Sequence, residues 1–191
     1  MTLEELLPKE KAKGKWSKYV PVIKSGNTID IYLTDEIIDP SEYNEACASL
    51  VSAAEDTNIN IYLNTPGGML DTAYQLVNAI TDSKANITAI LTGTVASAGT
   101  IIALACPRIV AKPHSTFMIH NYSMSSFGKG NELKQRQDYM NKHNVEAFNT
   151  FYKGFLTPKE LKDMIEGKDF WLSDKEVIKR LEAKAAKAAK E

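Results

Sequence analysis

Cysteine is scarce in this chain: there are two in 191 residues, Cys47 and Cys106, each in apolar surroundings. Neither stands at metal-ligand spacing from another Cys or His, which points to buried free thiols rather than a disulfide framework or a zinc site. Charge of one sign is lacking as well. A net charge of −1 gives nucleic acid or an anionic membrane no electrostatic reason to be a main partner. No apolar run of about 18 residues occurs, nor a secretory n-region with an h-region behind it, so the chain reads as soluble, intracellular and cytoplasmic. A G-x-x-x-x-G-K-[ST] segment is also missing, so this sequence has no phosphate loop with which to couple ATP to unfolding. No cofactor or metal is expected. Histidine occurs only three times, so few residues compete for acid–base work.

What is present fits one globular domain, since 43% apolar residues suffice for a sizeable core. Residues 1–26 differ from the rest: Leu3, Leu6 and Leu7 form a short apolar stripe, and a lysine-rich run, Lys9 to Lys18, comes after it. This segment reads as a flexible arm, with a single domain over 27–191. Thr28 to Leu33 alternates as a strand. Asp39-Pro40-Ser41-Glu42 supplies a cap, a proline at the first helical position and a glutamate at the third, which predicts a helix to about Asp56 with Tyr43, Ala46, Leu50 and Ala54 inward. The pattern repeats. Asn58 to Leu63 alternates again, Asn64-Thr65-Pro66-Gly67-Gly68 turns, and a helix is predicted over Met69 to Asp82. A third unit, Asn86 to Leu91, leads to an apolar helix after Ser97. Strand and helix pairs with short joints indicate parallel α/β layering, with functional loops at the C-terminal ends of the strands.

Ser97 stands in Gly93-Thr-Val-Ala-Ser97-Ala-Gly, where a buried strand gives way to a buried helix. Small neighbours leave its hydroxyl uncrowded, and the first turn of a helix has amide N–H groups without intrahelical partners that can receive an oxyanion. A serine in such a place also serves as a cap or packing residue. The Gly67-Gly68 turn ahead of a helix likewise suits an anion or is simply a tight turn. Arg108 to Ala111 and Thr116 to Ile119 are short β-like runs, and the second delivers His120 at a strand end. His114 beside Pro113 reads as exposed and His143 as a solvated helix position, so only His120 has the setting of a base. A long helix is predicted from about Asn131 to Tyr152, with Leu133, Met140, Ala147, Phe148 and Phe151 on its apolar side. So many large apolar groups suit packing against another subunit or simple docking onto the chain's own domain. Capping boxes at Thr157 and Ser173 open two more helices. Between them Asp169, beside Phe170 and Trp171, is a candidate for partial burial. From Glu182 onward the Lys- and Ala-rich end is expected to fray.

Four segments in this order, Asn64 to Gly68, Gly93 to Gly99, Pro113 to His120 and Asp169-Phe-Trp-Leu-Ser173, give the chain a resemblance to the Clp protease proteolytic subunit family, including the related peptidases of phage head-maturation modules. The resemblance covers roughly residues 28–178. It implies a crotonase-like α/β fold of repeated ββα units with a long protruding helix, and a serine endopeptidase acting on peptides or unfolded polypeptides. It further implies a homo-oligomeric ring, stacked through that helix, and an ATP-dependent unfoldase as partner. Carried over by residue, Ser97 is the nucleophile, His120 the base, Asp169 the orienting acid, and Gly68 and Ala98 the oxyanion amides. Gly67, Gly128, Lys129 and Gly130 would bind substrate, the last three by strand addition. The arm would line or plug the entrance of a closed chamber. Asn121-Tyr122 stands where the family commonly has Gln-Pro, a form closer to the phage-related members. Asp163, Glu166 and Asp174 remain alternatives for the acid. A phage head-maturation protease, a noncatalytic ring subunit and a crotonase-type acyl-CoA enzyme are the other readings. A Ser-Lys dyad would need a lysine near Ser97, and none lies between Lys84 and Lys112.

Overall fold

The structure is a computed structural model and describes residues 20–189. The apolar stripe at Leu3 to Leu7 and the run Lys9 to Lys18 lie outside the described residues. Among the described residues, seven strands form one sheet: β1 (Val22–Ser25), β2 (Thr28–Leu33), β3 (Asn58–Thr65), β4 (Asn86–Ala96), β5 (Arg108–Ala111), β6 (Thr116–Ile119) and β7 (Phe170–Ser173). The order across the sheet is β1-β2-β3-β4-β6-β7, with β5 paired to β4. Strands β2, β3, β4 and β6 are parallel, whereas β1 and β7 close the two edges antiparallel. Strand β1 falls inside the segment expected to be a flexible arm. Its last residues add a ladder to β2.

Alternation explains the central strands. Ile59, Ile61 and Leu63 of β3 are buried beside Ile31 and Leu33 of β2 and Ile87, Ala89 and Leu91 of β4. Helix α2 (Leu70–Asp82) covers that face with Ala73, Leu76, Val77 and Ile80, and α3 (Ala98–Ala105) is buried over most of its length. The predicted helix after Asp39 begins instead as a 3-10 turn, Pro40–Tyr43, and continues as α1 (Asn44–Ser52). Asp39 caps the turn by accepting from the Ser41 N–H at 2.9 Å. Tyr43, Ala46 and Leu50 are buried as expected, but α1 ends before Ala54, which is exposed.

One irregularity determines where β4 points. Leu63 pairs with Leu91 but Thr65 pairs with Val95, so β4 carries two residues more than β3 over this interval. The excess is held by the Asn64 side chain, whose Oδ1 accepts from the Thr94 N–H at 3.0 Å, and by the Thr92 hydroxyl, which donates to the Leu63 carbonyl at 3.1 Å. A Cβ on Gly93 would stand 2.4 Å from that Asn64 oxygen, so a larger residue there would displace the side chain that holds the excess. Bulges bend a strand and re-aim the residues beyond the bend. Here Thr88 to Leu91 pairs with β5, and Thr94 to Ala96 pairs with β6.

The long helix α4 (Gly130–Phe151) is exposed over most of its first half. Its second half docks on its own domain: Phe148 is 2% exposed, and Phe151 stacks on Tyr74 at 6.0 Å between centroids. Phe148 therefore belongs to the chain's own core and is not free to meet another subunit. Helices α5 (Pro158–Ile165) and α6 (Asp174–Ala188) both start on complete capping boxes, at Thr157 and Ser173. From Glu182 the segment expected to fray continues α6 to Ala188, with only Lys184 among its described residues less than exposed, while Val177 and Leu181 ahead of it pack against the core.

Candidate active site

Strand β4 ends at Ala96, and Ser97 comes next with φ +53° and ψ −125°, a conformation that non-glycine residues seldom hold and that costs on the order of 1–3 kcal/mol. It persists because its surroundings fix it. The Ser97 N–H donates to the Met118 carbonyl at 2.8 Å, fastening the turn to β6. Its carbonyl accepts from the Thr100 N–H at 2.9 Å and from the Thr100 hydroxyl at 2.6 Å. Gly67, at φ +95°, packs so closely that a Cβ there would lie 2.6 Å from the Ser97 Cβ and 2.7 Å from the Ala96 carbonyl oxygen. Strand-to-helix turns of this strain lift a side chain out of the sheet.

The backbone at Gly67-Gly68 is gripped from the other side by Ile37. The Ile37 N–H donates to the Gly67 carbonyl and the Met69 N–H donates to the Ile37 carbonyl, both at 2.8 Å. In such a parallel bridge the residue between, Gly68, turns its own N–H the opposite way. That amide points away from Ile37, and Gly68 lines the same cleft as Ser97. The cleft has a volume of about 440 Å³, and Ser97, Ala98, His120, Tyr122 and the α4 residues Arg136 and Met140 also line it. Ala98 is the first residue of α3, where backbone donors have no intrahelical acceptor.

His120 directly follows β6 and is half-buried. Asn121 locks this strand end: its Nδ2 donates to the Ile165 carbonyl at 2.8 Å and its Oδ1 accepts from the Tyr122 N–H at 2.8 Å. Strand β7 runs antiparallel to β6 with Phe170 opposite Ile119. The ladder ends at that pair; carried one residue further, the same register would bring Asp169 opposite His120. Asp169 itself is exposed, and the partial burial expected from its aromatic neighbours does not occur. It does not line the cleft. The reason is that Phe170 and Leu172 turn toward the core while Asp169 lies just outside the strand, at the end of the exposed run Glu166 to Lys168. Of the other acids, Asp163 is engaged by Lys159 at 2.8 Å and Lys168 at 3.7 Å, and the Lys159 hydrogen bond holds its carboxyl below the usual range. Glu166 pairs with Lys162 at 3.7 Å, and Asp174 begins α6.

Gly128, Lys129 and Gly130 are exposed at the start of α4, and Lys129 pairs with Glu132 at 3.8 Å. They stand beyond Ser123 to Ser125, which line the cleft. Neither cysteine competes with Ser97 as a nucleophile: burial pushes the Cys106 thiol up to about 12, and burial also raises Cys47. Three participants escaped sequence reasoning: Ile37, which grips Gly68, and the pair Thr100 and Tyr152, whose hydroxyls meet at 2.7 Å. A threonine three residues after Ser97 was the only available signal. Among the described residues no helix is long and apolar enough to cross a membrane.

Residues 15–180 match the family model described as Clp protease. The ATP-dependent Clp protease proteolytic subunit 3 of Rhizobium johnstonii is 30% identical over 136 residues, which is 69% of this chain and 70% of the relative. Subunit 3 of Rhizobium meliloti is 27% identical over the same shares. Proteolytic subunit 1 of Chlamydia pneumoniae is 26% identical over 118 residues, 60% of this chain and 62% of that one.

Proposed function

The chain belongs to the Clp protease family and has its crotonase-like α/β fold, and from that premise we propose that it is a serine endopeptidase cutting peptides and unfolded polypeptides. The observation that carries the reading is the strained turn at Ser97, opening on one cleft with His120 and Gly68. A serine hydroxyl is a poor nucleophile until a base takes its proton, and a neutral imidazole is the base this cleft offers. Ser97 Oγ adds to the scissile carbonyl carbon, and its proton passes to His120. The carbonyl oxygen becomes an oxyanion that accepts from the Gly68 and Ala98 N–H groups, each of which can be worth about 3 kcal/mol. The C–N bond then breaks as His120 gives the proton to the departing amine. Water, deprotonated by His120, cleaves the acyl-enzyme and frees Ser97. Asp169 holds the imidazole tautomer and offsets the imidazolium charge; the β6–β7 register supports this choice over the lysine-engaged Asp163.

Assembly and partners extend the same proposal. The subunits form rings that enclose the cleft, and the exposed first half of α4 is the surface for stacking them. The relatives' names include ATP dependence. This sequence contains no phosphate loop, so a separate unfoldase supplies that step. The segment Gly128 to Gly130 receives extended substrate by strand addition.

The test is labelling with a serine-directed fluorophosphonate followed by peptide mapping. We expect one adduct, on Ser97, and loss of both label and peptidase activity in Ser97→Ala. A label on another serine, or activity surviving in that variant, rejects the assignment.

A further inference from the structure

Behind Ser97 lies a hydroxyl chain that the proposed reaction does not use. The Thr100 side chain has one proton, and it is committed to the Ser97 carbonyl at 2.6 Å. At the 2.7 Å contact between Thr100 Oγ1 and the Tyr152 oxygen, the phenol must therefore be the donor. Thr100 is 0% exposed and Tyr152 1% exposed, so water does not substitute for either. Burial raises the Tyr152 phenol well above its ordinary value, which keeps it protonated. Tyr152 directly follows helix α4 as its C-terminal cap, 52 residues from Thr100, so this is a contact between distant elements and not a local helix habit.

The carbonyl of Ser97 and the N–H of Ala98 belong to one planar trans peptide and point in opposite directions. A carbonyl held inward by Thr100 sends the Ala98 N–H outward, to the cleft that Ala98 lines. The φ of +53° and ψ of −125° at Ser97 give that peptide a reason to rotate, because a change of ψ reaches the allowed left-handed region, and the rotation would turn the amide away. We infer that Thr100 and Tyr152 are positioning residues: their hydroxyl chain locks the Ser97–Ala98 peptide so that the Ala98 amide is aimed at the oxyanion. This rests on the serine peptidase reading above.

The experiment compares full-length Thr100→Val, Thr100→Ser and Tyr152→Phe in peptide hydrolysis and in binding of a peptide aldehyde. Ser97 Oγ adds to the aldehyde carbon, and the resulting tetrahedral oxygen needs the same amide. Loss of the aim weakens the transition state without weakening substrate binding. Thr100→Val, which keeps the shape and deletes the hydroxyl, should lower kcat by roughly 10- to 100-fold with KM unchanged, and weaken the aldehyde by the same factor. Thr100→Ser should restore both to within about 3-fold, and Tyr152→Phe should fall between. Unchanged kcat in Thr100→Val, a rise in KM alone, or a Thr100→Ser variant as impaired as Thr100→Val overturns the inference. If Thr100→Val does not fold, by circular dichroism, Tyr152→Phe decides: unchanged kcat and aldehyde affinity overturn it. Failure of the peptidase reading shows separately, as activity that survives in Ser97→Ala.

Discussion

Gly68→Ala tests the grip of Ile37 on the cleft. A Cβ on Gly68 would lie 2.0 Å from the Ile37 carbonyl oxygen, 2.8 Å from its carbon and 2.9 Å from its nitrogen. All three are backbone atoms, so no side chain can swing aside. Restoring ordinary contact requires the two segments to separate by more than about 1 Å. That breaks the Ile37 to Gly67 and Met69 to Ile37 hydrogen bonds, at about 1 kcal/mol each. The φ of +147° adds backbone strain of about 1–3 kcal/mol for alanine. The expected loss is roughly 3–5 kcal/mol, or a fall in Tm on the order of 10 °C for a domain of this size. A 1 Å displacement also takes the Gly68 N–H off the oxyanion, so kcat should fall by about 10²–10³. Calorimetry measures the first effect, and peptide hydrolysis well below the variant's Tm, per folded molecule, measures the second. Gly130→Ala is the control for Tm, because nothing lies within 4 Å of its would-be Cβ. A Gly68→Ala protein with unchanged Tm and kcat within about 3-fold of the parent would refute the argument that Ile37 positions this amide.

Asp169→Asn keeps the shape of the carboxylate but not its charge, so kcat should drop by as much as about 10⁴, as in other triads; near-normal turnover, with a large loss in Asp163→Asn instead, would transfer the role. The Glu160 carboxylate is held down at about 2, first by its bonds to the Arg180 guanidinium, made at 2.7 and 3.0 Å. Because this carboxyl is depressed from 4.5, its contribution is present above pH 4.5 and disappears as pH falls toward 2. Glu160→Gln should therefore cost at most about 3 kcal/mol at pH 7 and flatten the stability profile between those limits; a denaturant midpoint that changes equally at pH 2 and pH 7 would refute the pairing.

The elements legible in the sequence are those whose side chains repeat regularly. Strands β2, β3, β5 and β6 alternate or run apolar, and both capping boxes carry their signal in four residues. Strand β4 is legible only to Leu91, because Thr92-Gly93-Thr94 breaks the alternation at the bulge. Strands β1 and β7 are short edge pieces, Val-Ile-Lys-Ser and Phe-Trp-Leu-Ser: four residues carry little alternation, and although β1 folds back on β2 across Gly26-Asn27, the partner of β7 is β6, more than 50 residues earlier. At the site, Ser97 and His120 are recognisable because apolar runs deliver them to strand ends. The exposure of Asp169 is not, since of the aromatic neighbours that suggest cover Phe170 packs on the core and Trp171 is itself exposed. Tyr152 looks like the last apolar residue of a helix, and no spacing rule joins it to a threonine 52 positions earlier.

The bulge in β4 also makes the chain's length there a quantity with chemical meaning. The two residues of excess lie outside the ladder and add no reach to it, because Thr65 still faces Val95 beyond them. Deleting Thr92 and Gly93 would therefore leave the register with β3, and the inward and outward alternation of everything downstream, where they are. What it would remove is the bend at which β4 leaves β5 and takes up β6. Ser97 and the strand end that delivers His120 are joined only past that bend. The pair Thr92-Gly93 is thus an elbow piece: surplus length that changes the neighbour of β4 and not its extent.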